Sequence, residues 1–151
     1  MNFPQKNFAA AVEDITKAIQ LSPDNGFYYT QRACAYSLLG QTELAIADCK
    51  TAIKIDPDYP DAYNQLGFAH GAVGMSEKAV YYFTISLEID PKNALSHTYL
   101  GIAHRELNQH EKAIEAFTMA IQLDPEMSEV YTQRANCTRS RDFGHKRVQG
   151  V

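Results

Sequence analysis

The side chains of this sequence that could carry out chemistry are its histidines and its cysteines. Imidazoles and thiolates hold metal ions, or act as bases and nucleophiles, where their spacing brings several such groups together. The cysteines are odd in number and form no CxxC pair, and no Cys, Asp or Glu joins the histidines at a metal-like spacing. The residues concerned are Cys34, Cys49, Cys137, His70, His97, His104, His110 and His145. They predict reduced thiols and packed imidazoles, with no metal and no cofactor.

Other catalytic arrangements are also missing from the sequence. It contains no Ser/His/Asp grouping, no phosphate-binding loop and no pair of carboxylates in a predicted cleft. We therefore expect a protein that is not an enzyme.

Composition and charge restrict the environment and the partners of the chain. Of its 151 residues 45% are hydrophobic and 21% charged, and no apolar run approaches the length of about 20 residues that a membrane helix needs. The first residues lack the basic flank and apolar segment of a secretory signal, so we expect a cytoplasmic protein that does not bind membranes. Up to Thr138 there are 10 basic and 17 acidic residues, which argues against nucleic acid as a partner.

The elements that position these side chains follow an internal repeat. The stretch AIADCKTAIKIDP at 45–57 has counterparts at 11–23, 79–91 and 113–125. Their last residues are Pro23, Pro57, Pro91 and Pro125, so the period is 34 residues throughout. A fixed period of this length indicates an array of stacked repeats, each too small to bury its apolar face alone.

Each repeat predicts a pair of antiparallel helices. Apolar residues recur at the three-and-four spacing of one helical face, Asp-Pro pairs end the second helices, and Gly40, Gly74 and Asn108 mark the turns within the pairs. The predicted fold is all-α, a right-handed solenoid of stacked helical hairpins with eight helices. The predicted array runs from the second helix of a repeat at 8–22, through full repeats at 26–59, 60–93 and 94–127, to the first helix of a repeat at 128–138. A basic, disordered tail is predicted at 139–151.

Several typed positions recur at this period. They include the alanines 45, 79 and 113, the phenylalanines 83 and 117, the tyrosines 29, 63 and 131, and the pairs Leu66-Gly67 and Leu100-Gly101. In their order and spacing they resemble the tetratricopeptide repeat family, over about 8–138. Arg32-Ala33 and Arg134-Ala135 depart from this pattern, because they stand where the family has Leu-Gly.

The resemblance implies where a partner would bind. In this family the first helix of each hairpin lines the concave side of the solenoid, and ligands bind there. The corresponding face mixes apolar side chains with amides and hydroxyls, which suits a peptide or a segment of another protein. The predicted partner-binding residues are Phe27, Thr30, Cys34, Asn64, Phe68, Leu95, Thr98, Ile102 and Arg105.

A narrower resemblance concerns co-chaperones of this family that grip the terminal carboxylate of a chaperone tail. Their clamp needs lysine, asparagine and arginine. This sequence has Gln31 at the position of the asparagine, and Asp61 and Gln65 at the positions of the lysine and the arginine. These side chains cannot supply the charge-assisted hydrogen bonds. We therefore expect no chaperone-tail clamp.

Another interpretation makes the chain a structural spacer within a longer array. Tyr29-Thr30-Gln31-Arg32-Ala33 recurs 102 residues later as Tyr131 to Ala135, which indicates duplication in blocks of three repeats.

The predicted array also begins with a second helix and ends with a first helix, so both lack a hairpin partner. One copy could complete another and form a homo-oligomer, head to tail. The residues expected to be partly exposed there are Val12, Ile15, Ile19, Val130, Tyr131 and Ala135.

Overall fold

The computed structural model describes residues 3–148, and over that range the chain forms eight α-helices and no strand. The all-α fold class is therefore confirmed. The helices are α1 (Phe3–Leu21), α2 (Gly26–Leu38), α3 (Thr42–Ile55), α4 (Pro60–Ala72), α5 (Ser76–Ile89), α6 (Ala94–Glu106), α7 (His110–Leu123) and α8 (Ser128–Val148). None of the described helices is both long enough and apolar enough to cross a membrane.

The turns within the helix pairs depend on left-handed backbone conformations. Gly40 and Gly74 have φ of 76° and 80°, and Asn108 has φ of 58°. Glycine adopts this region without steric cost, and asparagine tolerates it better than most other residues. The turn that the sequence predicted at Asn108 is therefore confirmed.

The Asp-Pro turns between successive repeats are held by two recurring hydrogen bonds. The carboxylate of Asp56 accepts from the backbone N–H of Asp58 at 3.0 Å. Asp90 and Asp124 likewise accept from the backbone N–H of the residue two positions later, Lys92 and Glu126. The ring residue at the start of each next helix also contacts the proline carbonyl six residues back. Those rings are Tyr63, His97 and Tyr131, with distances of 2.9, 3.0 and 3.1 Å. The imidazole of His97 thus takes the place of a phenol in a structural contact.

The chain divides into two compact units, residues up to Met75 and residues from Ser76. In unit 1, α1, α2, α3 and α4 pack in sequence, and α2 also lies beside α4. Small side chains allow the close packing, since Ala33, Ala45 and Ala52 are fully buried together with Cys49.

In unit 2, α6 packs against both α5 and α7, and α7 packs against α8. One cluster joins Ala79, Phe83 and Ala103, with the rings of Phe83 and Tyr99 stacked 5.6 Å apart. A second cluster joins α7 and α8 through Ala113, Phe117, Ala120, Val130 and Cys137.

Both terminal helices are longer than the sequence predicted. Helix α1 begins at Phe3 instead of Phe8, because Pro4 lies in the first turn, where its missing N–H breaks no helical bond. Helix α8 continues to Val148, so the predicted end at Thr138 and the disordered tail from Arg139 are wrong up to that residue. Residues 139–148 contain no proline, and their one glycine, Gly144, lowers the stability of a helix by only about 1 kcal/mol. The last three residues of the predicted tail lie outside the described range.

Candidate functional site

In unit 1 four of the predicted partner-binding residues lie on α2 and α4 and are exposed or partly exposed. Phe27 is 52% exposed and Phe68 is 37% exposed, while Cys34 and Asn64 are partly exposed. We call Phe27, Cys34, Asn64 and Phe68 the α2–α4 face. Large aromatic rings in solvent are the natural anchors of a protein interface.

Thr30, the fifth residue predicted in this unit, is buried, with 2% of its surface exposed. Its hydroxyl donates to the carbonyl of Phe27 at 2.8 Å and lies 3.3 Å from the hydroxyl of Tyr59. Thr30 therefore joins α2 to the start of α4, and its side chain is not available to a partner. Sequence analysis missed the Tyr59 contact, because Tyr59 lies in a turn outside the helical pattern.

In unit 2 the predicted residues on α6 are mostly engaged within the protein. Leu95 is exposed, but Thr98 is buried and its hydroxyl donates to the carbonyl of Ala94 at 3.0 Å. Ile102 is half-buried against the α7–α8 cluster. Arg105 donates hydrogen bonds to Gln133 of α8 and, at 3.0 Å, to Glu106. Of these four residues, Leu95 offers the side chain most open to a partner.

The strongest electrostatic contact in unit 1 is an ion pair that sequence analysis missed. Arg32 on α2 donates from Nε and Nη2 to the two carboxylate oxygens of Asp48 on α3, at 2.7 and 2.8 Å. Its Nη1 also donates to the hydroxyl of Thr16 on α1 at 3.2 Å. The hydrogen bond to Asp48 raises the pKa of Arg32, so the guanidinium remains charged. One side chain thus ties three helices together.

All three cysteine thiols have pKa values above the ordinary value for cysteine. Burial raises the pKa of Cys34, and it raises the pKa of Cys49 to about 12 with a further contribution from the charge of Asp48. Burial also raises the pKa of Cys137, although nearby Arg105 acts in the opposite direction. Since thiolates are the reactive form, the raised pKa values favour the protonated, less reactive thiols at neutral pH. Among the described residues, no group of three or more His, Cys, Asp or Glu side chains could hold a metal ion.

The residues predicted to be partly exposed on the terminal helices divide into two groups. Val12 and Ile15 of α1 are partly exposed, and Tyr131 and Ala135 of α8 are exposed. The prediction is wrong for Ile19 and for Val130, which are both buried. Val130 lies against α7 in the cluster around Phe117, on the side of α8 that already has a neighbour.

Sequence patterns of known families match most of the chain. The description "Tetratricopeptide repeat" matches residues 15–47, 60–93 and 94–127, and the description "TPR repeat" matches residues 33–74. A curated relative, the human small glutamine-rich tetratricopeptide repeat-containing protein beta, is 50% identical over 42 residues. That stretch covers 28% of this chain and only 14% of the human protein.

Solved structures share the fold. TTC0263, a thermophilic TPR protein of Thermus thermophilus, superposes with a TM-score of 0.80 at 21% identity, over 92% of this chain and 77% of that one. The first TPR of Spaghetti (RPAP3), solved bound to an HSP90 peptide, superposes with a TM-score of 0.75 at 14% identity, over 78% and 93%. The matched repeats cover most of the sequence and the fold agrees with them, so the chain belongs to the tetratricopeptide repeat family.

Proposed function

We propose that this chain is a non-enzymatic protein-interaction module that binds an extended or helical segment of a partner protein on its α2–α4 face. Tetratricopeptide repeat proteins act as scaffolds for protein interactions, which supports the general function. The observation that carries the proposal is the exposure of Phe27 and Phe68 on two neighbouring first helices. An apolar ring on each helix, with the partly exposed Asn64 on α4, suits side-chain anchors along a peptide.

The charge on this face favours a neutral or basic segment. Of the three positions that would clamp a terminal carboxylate, one has the exposed Asp61 and the other two have the neutral amides Gln31 and Gln65. The RPAP3 domain was solved with the acidic peptide SRMEEVD. We expect that peptide to bind this chain poorly, because none of the three clamp positions supplies a cation for its carboxylates and Asp61 would repel them.

The test is a peptide library displayed on phage and selected against the intact chain. Selected peptides are then titrated against Phe27→Ala and Phe68→Ala, each of which should weaken binding by about tenfold or more if the ring is an anchor. Circular dichroism and thermal melting establish that the variants fold.

The matched control is Leu44→Ala, which removes an exposed apolar side chain from α3 of the same unit. Leu44 lines a separate depression with His70, Val73 and Met75, so its loss should leave affinity unchanged. If Leu44→Ala weakens binding while the two phenylalanine variants do not, the α2–α4 face is the wrong site.

A further inference from the structure

Helix α1 has one face that no described helix covers, and the repeat identifies it. Ala45, Cys49 and Ala52 of α3 are fully buried, because α3 packs against the first helix of its own repeat, α2, as well as against that of the next repeat, α4. Among the described helices, α1 packs only against α2, the first helix of the repeat after it. The counterparts of the three residues, 34 residues earlier in α1, are only half-buried, and these are Ala11, Ile15 and Ala18. Asp48 of α3 is 6% exposed, whereas its counterpart Asp14 is exposed. The uncovered side of α1 is therefore the side that in α3 packs against α2.

Helix α8 has the complementary uncovered face. Ala135 is exposed, while Ala33 and Gly101 at the same position of the repeat are buried. A Cβ atom on Gly101 would lie 2.5 Å from the ring of Phe117, so this position packs directly against the second helix of its own repeat. In α8 the same face instead lines a shallow surface groove that runs from Tyr131 to Phe143, and all of the residues that line it belong to α8 itself.

Arg134 in this groove repeats much of the environment of Arg32, although Arg32 also lies 5.7 Å from the ring centre of Tyr36, where the later helix has Thr138. Each guanidinium lies over the tyrosine three residues before it, with the carbon 5.8 Å from the ring centre of Tyr29 and 5.7 Å from that of Tyr131. Each also donates to a threonine hydroxyl on the preceding second helix, at 3.2 Å for Arg32 and 3.3 Å for Arg134. Arg32 has Asp48 as its bidentate partner, whereas no carboxylate of the described residues pairs with Arg134.

We propose that the groove on α8 receives α1 of a second copy of this chain, with Asp14 of that copy pairing with Arg134. Asp14 lies one period before Asp48, so α1 docked on α8 as α3 docks on α2 brings these two charges together. In the same arrangement Ile15 lies against Ala135, as Phe117 lies against Gly101. The contact joins two different surfaces, so it is heterologous and propagates head to tail.

The proposed pair of Asp14 and Arg134 makes the interface electrostatic. A guanidinium held by a tyrosine and a threonine is already positioned for a bidentate carboxylate, so little side-chain freedom is lost when the pair forms. The pair also predicts that association weakens as salt is raised, since both groups are at least partly open to solvent in the free protein. These contacts use α1 and α8, and they leave the α2–α4 face free for a partner.

The experiment is sedimentation velocity over a concentration series, with wild type, Asp14→Arg and Arg134→Asp. The wild type should associate, and each single variant should weaken association by about tenfold or more, because like charges then face each other. Mixing the two variants is the decisive step. The introduced arginine of one variant can pair with the introduced aspartate of the other, and the native Asp14 and Arg134 that remain can also pair. The mixture should therefore associate more strongly than either variant alone.

A second variant keeps the test informative should Arg134→Asp fail to fold. Ala135→Arg places a bulky charge at an exposed position, where it leaves the fold intact and blocks the approach of Ile15. It should reduce association as strongly as the charge variants. A wild type that stays monomeric at every concentration overturns the proposal. So does association that the single variants and Ala135→Arg leave unchanged, and so does a mixture of folded variants that stays monomeric.

Discussion

The substitution Asp48→Asn tests whether the ion pair between α2 and α3 stabilises the helix packing of unit 1. The change keeps the shape of the side chain and removes its charge. In the wild type Arg32 donates two hydrogen bonds to Asp48, at 2.7 and 2.8 Å. The amide oxygen of the variant can still accept one of them, and the other is lost. The side chain of Arg32 is only 17% exposed, so water replaces the lost partner poorly.

The expected magnitude follows from these contacts. Removing one partner of a buried ion pair typically costs about 3–5 kcal/mol of unfolding free energy. Arg32 keeps its bond to Thr16 and its contacts with the rings of Tyr29 and Tyr36, which lowers the expected loss to roughly 2–3 kcal/mol. For a chain of this size, that loss corresponds to a fall in Tm of about 4–12 °C.

The assay is urea unfolding followed by circular dichroism at low protein concentration, with Asp14→Asn as the matched control. Asp14 occupies the same position one repeat earlier but is exposed, so its substitution should change the unfolding free energy by less than about 0.5 kcal/mol. Should Asp48→Asn prove as neutral as the control, the ion pair contributes no more than an exposed surface contact. The reasoning from burial would then be wrong.

Two further predictions concern packing and pH. Gly101→Ala should cost about 1–3 kcal/mol in urea unfolding, because the new methyl group meets the Phe117 ring at 2.5 Å. Gly26→Ala, whose added Cβ meets its nearest neighbour at 3.6 Å, should be close to neutral; equal losses in both would contradict the packing argument. Cys49 has its pKa raised from 9.0 to about 12, so the stability that its neutral form contributes should be complete below about pH 9 and be lost as pH rises toward 12. Between neutral and alkaline pH the unfolding free energy of Cys49→Ala should therefore fall by less than that of the wild type. Equal falls in the two proteins would refute the assignment.

The period of 34 residues was sufficient to predict the helices and turns of the interior repeats. Apolar spacing, the Asp-Pro stops and the left-handed turn at Asn108 are local signals, and the structure places them as predicted. The extent of α8 was missed because the sequence after Arg139 lacks the repeat pattern, while a helix needs no repeat in order to continue.

The candidate site was harder to predict because burial depends on neighbouring helices. Thr30 and Thr98 occupy positions that a single helix would leave open, yet both are buried in the folded chain, Thr30 beside Tyr59 from the end of its own repeat. Arg32 stands where the family has leucine, and its position alone does not reveal that it reaches Asp48, sixteen residues later on another helix.

The most direct test of the proposed function is hydrogen exchange of the chain with and without a peptide selected from the phage library. Binding on the α2–α4 face predicts slower exchange in the segments 26–38 and 60–72, with little change in the segments 42–55 and 128–144. The same pattern should be lost in Phe27→Ala/Phe68→Ala at equal peptide concentration. Protection confined to α3, α1 or α8, or protection that persists in the double variant, would contradict the account.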